Sequence, residues 1–430
     1  MKNPKPSELL ITGLGVTSAI GQGKSTFAEA LLQGRQVFGV MQRPCRQKGT
    51  AFLGAEIPSL CLPDRLSKRL LRTASFSGQV ALTTLYEAWD EAKLDGVDAE
   101  RIGLVIGGSN LGQRELIQAH ETYADRLSYL KPTYGISFMD SDLCGLCTEQ
   151  FGIRGLTYTV GGASASGHVS IIQAAQAVLT GTVDVCIAMG ALMDLSYMEC
   201  QALQTLGAMV TDRYANEPAR ACRPFDKDRD GFLYGEACGA VVIERAVTAM
   251  QRPVTPYAVL ASWAMGMDGN RNPNPSSDGE VRVIQRALDA AGFSAREIDY
   301  INPHGTGSII GDEIELKALR DGQLTRAYIN TTKSITGHGL SAAGTVEVIA
   351  TLLQMQASLL HPSLNLDDPL DPSFNWVLSQ SIPHVIERAL NLSIGFGGIN
   401  TAICLERAIP EAPICLMKGT DIWVMLELKL

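Results

Sequence analysis

The sequence predicts an α/β fold with buried strands, and three features carry that expectation. Short apolar runs end in glycine, as in Leu104-Val-Ile-Gly107-Gly108, Cys186-Ile-Ala-Met-Gly190 and Leu392-Ser-Ile-Gly395. Stretches with the helical spacing of apolar residues follow such runs. Glycine is plentiful, at 42 of 430 residues, and much of it falls just after a strand, where the chain must turn.

In chain order, Leu9 to Gly15 reads as a first strand and its turn, within a strand near 8–14. Helices follow over 24–34 and 75–93, then a strand at 102–107 and a helix at 113–129. Strand 156–160 leads into helix 166–180, rich in Val, Ile and Ala, and then into strand 184–190. Strands at 239–245 and 255–265 flank Arg252-Pro253-Val254-Thr255-Pro256, where the prolines interrupt strand pairing. The second part reads as helix 281–291, strand 298–302, helix 312–320, strand 327–331, helix 342–358, and strands 391–396 and 401–406. The expected organisation is therefore residues 1–252, residues 253–408, and an appended tail at 409–430. No internal repeat is visible. The tail segment Ile422-Trp-Val-Met-Leu-Glu-Leu reads equally as a strand or a docking segment.

Lys plus Arg number 36 and Asp plus Glu 45, a net charge of 36 − 45 = −9. That is the wrong sign for a nucleic-acid surface. No run approaches ~18 uninterrupted apolar residues, and the longest candidate, Ala342–Leu360, carries Thr345, Glu347, Thr351, Gln354 and Gln356. A buried helix is expected there, and no membrane span. Glu8 and the glycines at 13, 15 and 21 interrupt what a secretory leader would keep apolar. The ten cysteines are scattered, several within apolar runs, which suits reduced thiols and a cytoplasmic protein.

Several motifs fall short. Gly23-Lys24-Ser25 lacks the leading glycine of a phosphate loop, since Ser18 stands there. Gly13-Leu-Gly15 is an incomplete dinucleotide fingerprint and is read as a strand-to-helix turn. Asp226-Lys-Asp228-Arg-Asp230-Gly231 resembles the front of a calcium loop, but its twelfth position is Ala237. Cys144 and Cys147 form a lone C-x-x-C without a second pair. No metal is expected. His120, His361 and His384 have no chemical neighbourhood in the sequence and are expected on the solvated surface.

Four segments remain. Thr157-Tyr-Thr-Val-Gly-Gly-Ala-Ser164-Ala-Ser-Gly-His168 places Ser164 between a strand and a helix, where unpaired amides favour negative charge. Asn302-Pro-His304-Gly-Thr306-Gly-Ser308 delivers an imidazole and two hydroxyls in a flexible loop. Thr332-Lys333-Ser-Ile-Thr-Gly-His338 supplies a cation and a second imidazole, and runs into the helix bearing Glu347. Ser393-Ile-Gly-Phe396-Gly-Gly-Ile-Asn400 is a glycine-rich loop with one large residue. Ends of strands are where α/β folds place their sites. Two imidazoles beside an oxyanion-type turn suit a reaction passing through a negatively charged oxygen.

Across roughly residues 8–406 the chain resembles the β-ketoacyl synthases of the thiolase superfamily. The resemblance rests on Ile11-Thr-Gly-Leu-Gly, the Pro224–Gly231 acidic segment, His304-Gly-Thr, Lys333-Ser-Ile-Thr-Gly-His338 and Gly395-Phe-Gly-Gly-Ile-Asn400. It implies the five-layer αβαβα fold of two similar halves, a homodimer, and acyl chains delivered on the phosphopantetheine arm of acyl carrier protein, with no other cofactor. Counting back from Gly181-Thr-Val-Asp184, the family's nucleophilic cysteine falls on Ser164.

A serine hydroxyl is far less acidic than a thiol, so acyl transfer and condensation should fail. Decarboxylation needs no nucleophile, and His304, His338 and Lys333 all remain. The combination is similar to the free-standing ketosynthase-like decarboxylases of polyketide β-branching cassettes. Those convert malonyl- to acetyl-acyl carrier protein for a hydroxymethylglutaryl(HMG)-synthase-like partner. On this reading His304 and His338 hold the enolate oxygen, Lys333 orients the His304 region with Glu347 as its charge partner, and the backbone amides of Ser164 and Phe396 form an oxyanion hole. Thr306 and Ser308 contact the pantetheine. Two other readings stand beside it: Ser164 as the nucleophile of an acyltransferase or thioesterase, with His168 as base, and a non-catalytic partner subunit of a condensing enzyme.

Overall fold

The computed structural model describes residues 8–271 and 273–408. The tail read at 409–430 lies outside the described residues. One sheet contains an unbroken path of strands: β1 (Leu9–Ser18), β2 (Ile102–Gly107), β3 (Thr157–Val160), β4 (Val185–Gly190), β5 (Ala237–Arg245), β6 (Ala258–Met267), β7 (Tyr300–Asn302), β8 (Tyr328–Ile329), β9 (Asn375–Trp376), β10 (Arg388–Gly395) and β11 (Ile399–Arg407). Its spatial order is β9-β8-β7-β10-β11-β6-β1-β5-β4-β2-β3.

Reading outward from the middle, β1-β5-β4-β2-β3 and β6-β11-β10-β7-β8 follow one rule. The first two pairings are antiparallel and the next two parallel. The two runs meet where β1 and β6 pair antiparallel, at Leu10↔Val259 and Ile11↔Ala258.

Five helices build the remaining layers: α1 (Phe76–Glu91), α2 (Ser166–Leu179), α3 (Ser277–Ala291), α4 (Ile309–Asp321) and α5 (Ala343–Ala357). α2 and α5 lie together in the central core, against β1, β5 and β11. One outer core packs α1 on β2, β4 and β5, and the other packs α3 and α4 on β7, β10 and β11. This is the αβαβα layering expected from the sequence. The two central helices approach through glycine. A Cβ on Gly167 would lie 2.6 Å from the Thr345 backbone nitrogen, and one on Gly344 would lie 2.7 Å from that of His168.

Several expectations change. β1 runs on to Ser18, so Gly13 and Gly15 are strand residues and not a turn. Their role is close packing: a Cβ on Gly15 would sit 2.0 Å from the Thr84 carbonyl oxygen of α1. The helix expected at 113–129 stops at Tyr123, with a single 3-10 turn at Leu127–Tyr129. A helix at Tyr197–Thr205, opened by the Ser196/Glu199 capping box, had no counterpart in the sequence reading. His361 is buried, not solvated. Its Nε2 lies 3.0 Å from Thr332 Oγ1, and its N–H donates to Gln354 Oε1 at 3.0 Å. His120 is exposed as expected, whereas His384 is half-buried, its ring tilted 58° against that of Tyr328 with centroids 4.5 Å apart.

The acidic run at 226–230 is tied down from within. Asp226 pairs with Arg223, Asp228 with Arg213, and Asp230 accepts from Thr211. Among the described residues no group of three or more His, Cys, Asp or Glu is placed to hold a metal ion, and the cysteines are free.

Candidate active site

Ser164 sits in a 3-10 turn, Ala163–Ala165, between β3 and α2. Ala163 takes a left-handed φ of 48°, a conformation costly for a residue with a Cβ. Local bonds hold the turn: Ser166 Oγ accepts from the Gly162 N–H at 2.9 Å and donates to the Ala163 carbonyl at 2.7 Å. Gly395, at the end of β10, lets the two backbones touch, since a Cβ there would fall 2.3 Å from the Gly162 oxygen. Ser393 Oγ donates to the Ser164 carbonyl at 3.2 Å. The first half of the chain thus presents Ser164, and the second half clamps it.

His304 leaves the C-terminal end of β7 in a loop braced by carboxylates of α4. Glu315 accepts from the His304 and Gly305 N–H groups at 2.6 and 2.8 Å. Asp312 accepts from the N–H groups of Thr306 and Gly307 at 3.2 and 3.1 Å. Ser308 caps α4, its Oγ accepting from the Gly311 N–H at 3.1 Å. Lys333 lies behind this loop, 2 % exposed; its ammonium donates to the His304 carbonyl and pairs with Glu347. Burial pushes the Glu347 carboxyl up to about 7 against the lowering pull of Lys333.

His338 follows Lys333 on the same side of the cavity. Its ring stands edge-on to His304, with centroids 5.4 Å apart, and edge-on to Phe232 at 5.1 Å. The backbone N–H of Leu340 donates to His338 Nδ1 at 3.3 Å. With Nδ1 accepting, the ring proton resides on Nε2, which lies 2.9 Å from Ser164 Oγ. The imidazole is a donor toward Ser164 and not its base. Burial and the Lys333 charge hold His304 and His338 well below the ordinary imidazole range, so both rings are neutral donors at neutral pH.

Ser164, His304, Thr306, Ser308, His338 and Phe396 line one cavity of about 500 Å³. Lys333 and Glu347 stand behind its wall. Ile309, Ile310, Leu206 and Phe396, all exposed, form an apolar rim. His168 does not line the cavity: it is fully buried, with Nδ1 3.0 Å from Thr401 Oγ1. Burial pushes it down to about 3, and the reading of His168 as a base for Ser164 has no geometric support.

The sequence reading missed Glu315, Phe232 and the Leu340 amide. Asp312 and Glu315, three apart on one helical face directly after a glycine loop, were the signal that carboxylates brace that loop.

The family model described as "Beta-ketoacyl synthase, N-terminal domain" matches residues 7–249, and "Beta-ketoacyl synthase, C-terminal domain" matches 257–367. The chain is 64 % identical over 399 residues to the polyketide biosynthesis malonyl-ACP decarboxylase PksF of Bacillus subtilis strain 168, covering 93 % of this chain and 96 % of that one. It superposes on a crystal structure of a β-ketoacyl synthase from Burkholderia phymatum STM815 with a TM-score of 0.84 at 26 % identity, covering 94 % of this chain and 100 % of the other. The AntDE:AntF structure, a type II polyketide acyl-carrier protein in complex with its ketosynthase, matches with a TM-score of 0.82 at 25 % identity over 94 % of this chain and 100 % of the other.

Proposed function

The chain belongs to the β-ketoacyl synthase family, and from that premise we propose that it is an enzyme of polyketide biosynthesis, a malonyl-acyl carrier protein decarboxylase that forms acetyl-acyl carrier protein without condensing chains. Beside the likeness to PksF, one observation carries the reading. His338 offers Nε2–H, not a lone pair, to the position where a nucleophile would stand. A serine that lacks a base is a poor nucleophile, whereas two neutral imidazole donors suit an enolate oxygen.

The C–C bond between C2 and the malonyl carboxylate breaks and CO2 leaves. The electron pair moves into the thioester, whose oxygen takes up negative charge between His304 and His338. A proton from water then adds at C2, and the hydroxide is neutralised by solvent. The backbone amides of Ser164 and Phe396 are the oxyanion donors at the turn. Lys333, neutralised by Glu347, holds the His304 loop by its carbonyl and acts through position. The hydroxyls of Thr306 and Ser308 keep their hydrogens available for the phosphopantetheine arm, and the reaction needs no cofactor bound to the enzyme.

The protein is expected to be cytoplasmic and a homodimer. Among the described residues β3 is paired on one side only; its Thr159 donates to the Asp140 carbonyl, and the segment leading up to Asp140 exposes Leu127, Tyr129, Ile136, Phe138 and Met139. Sedimentation at micromolar concentration checks the dimer. Downstream, an HMG-synthase-like enzyme of β-branching would consume the acetyl group.

Intact-protein mass spectrometry after mixing with malonyl-acyl carrier protein tests the reaction. The carrier should lose CO2 while the enzyme mass stays unchanged. An acylated enzyme would transfer the assignment to a Ser164 nucleophile; two unchanged proteins would leave the non-catalytic subunit.

A further inference from the structure

Helix α3 carries Glu280 into the space beside α4. The side chain is 1 % exposed, and neither carboxylate oxygen has a hydrogen-bond partner. α3 and α4 share one core through Val283, Ile284, Leu316 and Leu319; Glu280 stands one turn before Val283 and Ile284, and Glu315 one turn before Leu319. The charged groups that bear on Glu280 are acidic, Glu315 and Asp312 from α4 and Asp268 just beyond β6. The cations in the region serve other carboxylates. Lys333 acts on Glu315 and pairs with Glu347, and Arg229 acts on Asp312. Asn400 turns its N–H toward Asp268 at 2.7 Å.

A buried carboxylate without a donor is expensive, whereas the neutral acid needs one acceptor. Glu315 is the natural acceptor. Its two oxygens already receive the His304 and Gly305 amides, bonds that favour its ionised form. We propose that Glu280 and Glu315 share one proton, held on Glu280, so that Glu315 can stand as the anion that braces the His304 loop. Glu280 is then a positioning residue for the decarboxylation, acting through Glu315 on the placement of His304.

Burial and neighbouring like charges raise the Glu280 carboxyl with nothing opposing them, whereas burial raises Glu315 against the lowering pull of the Gly305 and His304 amides and of Lys333. The folded protein therefore binds more protons than the unfolded chain. The pair's contribution to stability falls as pH rises from the unfolded carboxylate range toward the raised one, and levels off above it. Loss of the shared proton puts two negative charges side by side beneath the loop and lowers activity on the alkaline side.

The test compares the wild-type enzyme with E280Q, which cannot ionise. Two measurements are made: the unfolding temperature from pH 5 to 9 without substrate, and the pH profile of kcat/KM with malonyl-acyl carrier protein. The unfolding temperature of the wild type relative to that of E280Q should fall as pH rises through this range, and E280Q should move the alkaline limb up by about one pH unit or more. Superimposable curves would overturn the proposal. So would sodium or potassium ions raising the unfolding temperature of the wild type and not of E280Q, because a cation would then be the missing partner. If E280Q does not fold, the infrared spectrum of Glu347→Gln decides, since Glu347 also titrates near neutral pH: a protonated carboxyl band that persists there above neutral pH supports the pair, and its absence overturns it. The kinetic arm rests on the decarboxylase reading and the thermal arm does not, so absence of turnover with the thermal effect present would sink that reading alone.

Discussion

His338 donates where a base would have to accept, and that one tautomer orders the expectations at the residue scale. Ser164→Ala should decarboxylate within about tenfold of the wild type, since no bond to Ser164 is made, whereas His304→Ala and His338→Ala should each lose about 10²–10³-fold. Stopped-flow measurement of CO2 release checks all three. A different mechanism governs Lys333. Replacing it with Ala leaves Glu347 buried and unpaired, a loss of about 3–5 kcal/mol, read as a lowered denaturation midpoint. The double variant with Glu347→Gln should recover most of it. The sequence made Ser164, His304, Lys333 and His338 legible because each follows a strand in a short loop of small residues. It could not show the tautomer, which depends on the amide of Leu340, nor the burial of His361, whose partners Thr332 and Gln354 arrive from separate elements.

At the scale of elements, the central pair α2 and α5 fixes the distance between Ser164 and His338, because each helix begins just after one of these residues. Their contact at Gly167 and Gly344 leaves no room for a methyl group against backbone atoms. Gly344→Ala should therefore cost several kcal/mol, about the range of an overpacked core or more, and reduce activity in whatever fraction folds. Thermal unfolding alongside activity per folded molecule checks this. Most strands and helices were legible from apolar runs and glycine punctuation. Those that escaped lacked one signal or the other. Tyr197–Thr205 buries only Cys200, so its apolar face is faint, and β9 is a two-residue edge strand at Asn375–Trp376. The extension of β1 through Gly13 and Gly15 was hidden because glycine marks close packing as readily as it marks turns.

For the whole molecule, the duplicated strand order was invisible in the residues, since a topology is kept by hydrophobic pattern and not by identity. The buried histidines contribute one arm of the response to acid. His168, His338 and His361 are each at most 2 % exposed, and burial lowers all three, His168 to about 3 and His361 to about 4. The unfolded chain takes up these protons below about pH 6.5, while the folded protein refuses them. The histidines' contribution to stability is fully present above that pH and falls as pH drops toward the lowered values, by about 1.4 kcal/mol per pH unit for each histidine. The raised carboxyls of Glu280, Glu315 and Glu347 pull the other way in this window, so the histidine contribution is read by difference: the urea midpoint of the wild type should fall more from pH 7 to 5 than that of His361→Gln.

The site draws Ser164 from before the proline-bounded link and both histidines from after it, and this division reaches into the history of the molecule. The group that would capture an acyl chain and the groups that manage an enolate are inherited on separate stretches of chain, so one can be silenced without disturbing the other. On the proposed reading, serine at position 164 silences the capture step while His304, His338 and Lys333 keep the decarboxylating half of the chemistry. The traffic should also run in reverse: Ser164→Cys is expected to gain the mass of an acyl group from acyl-acyl carrier protein while still releasing CO2 from the malonyl form.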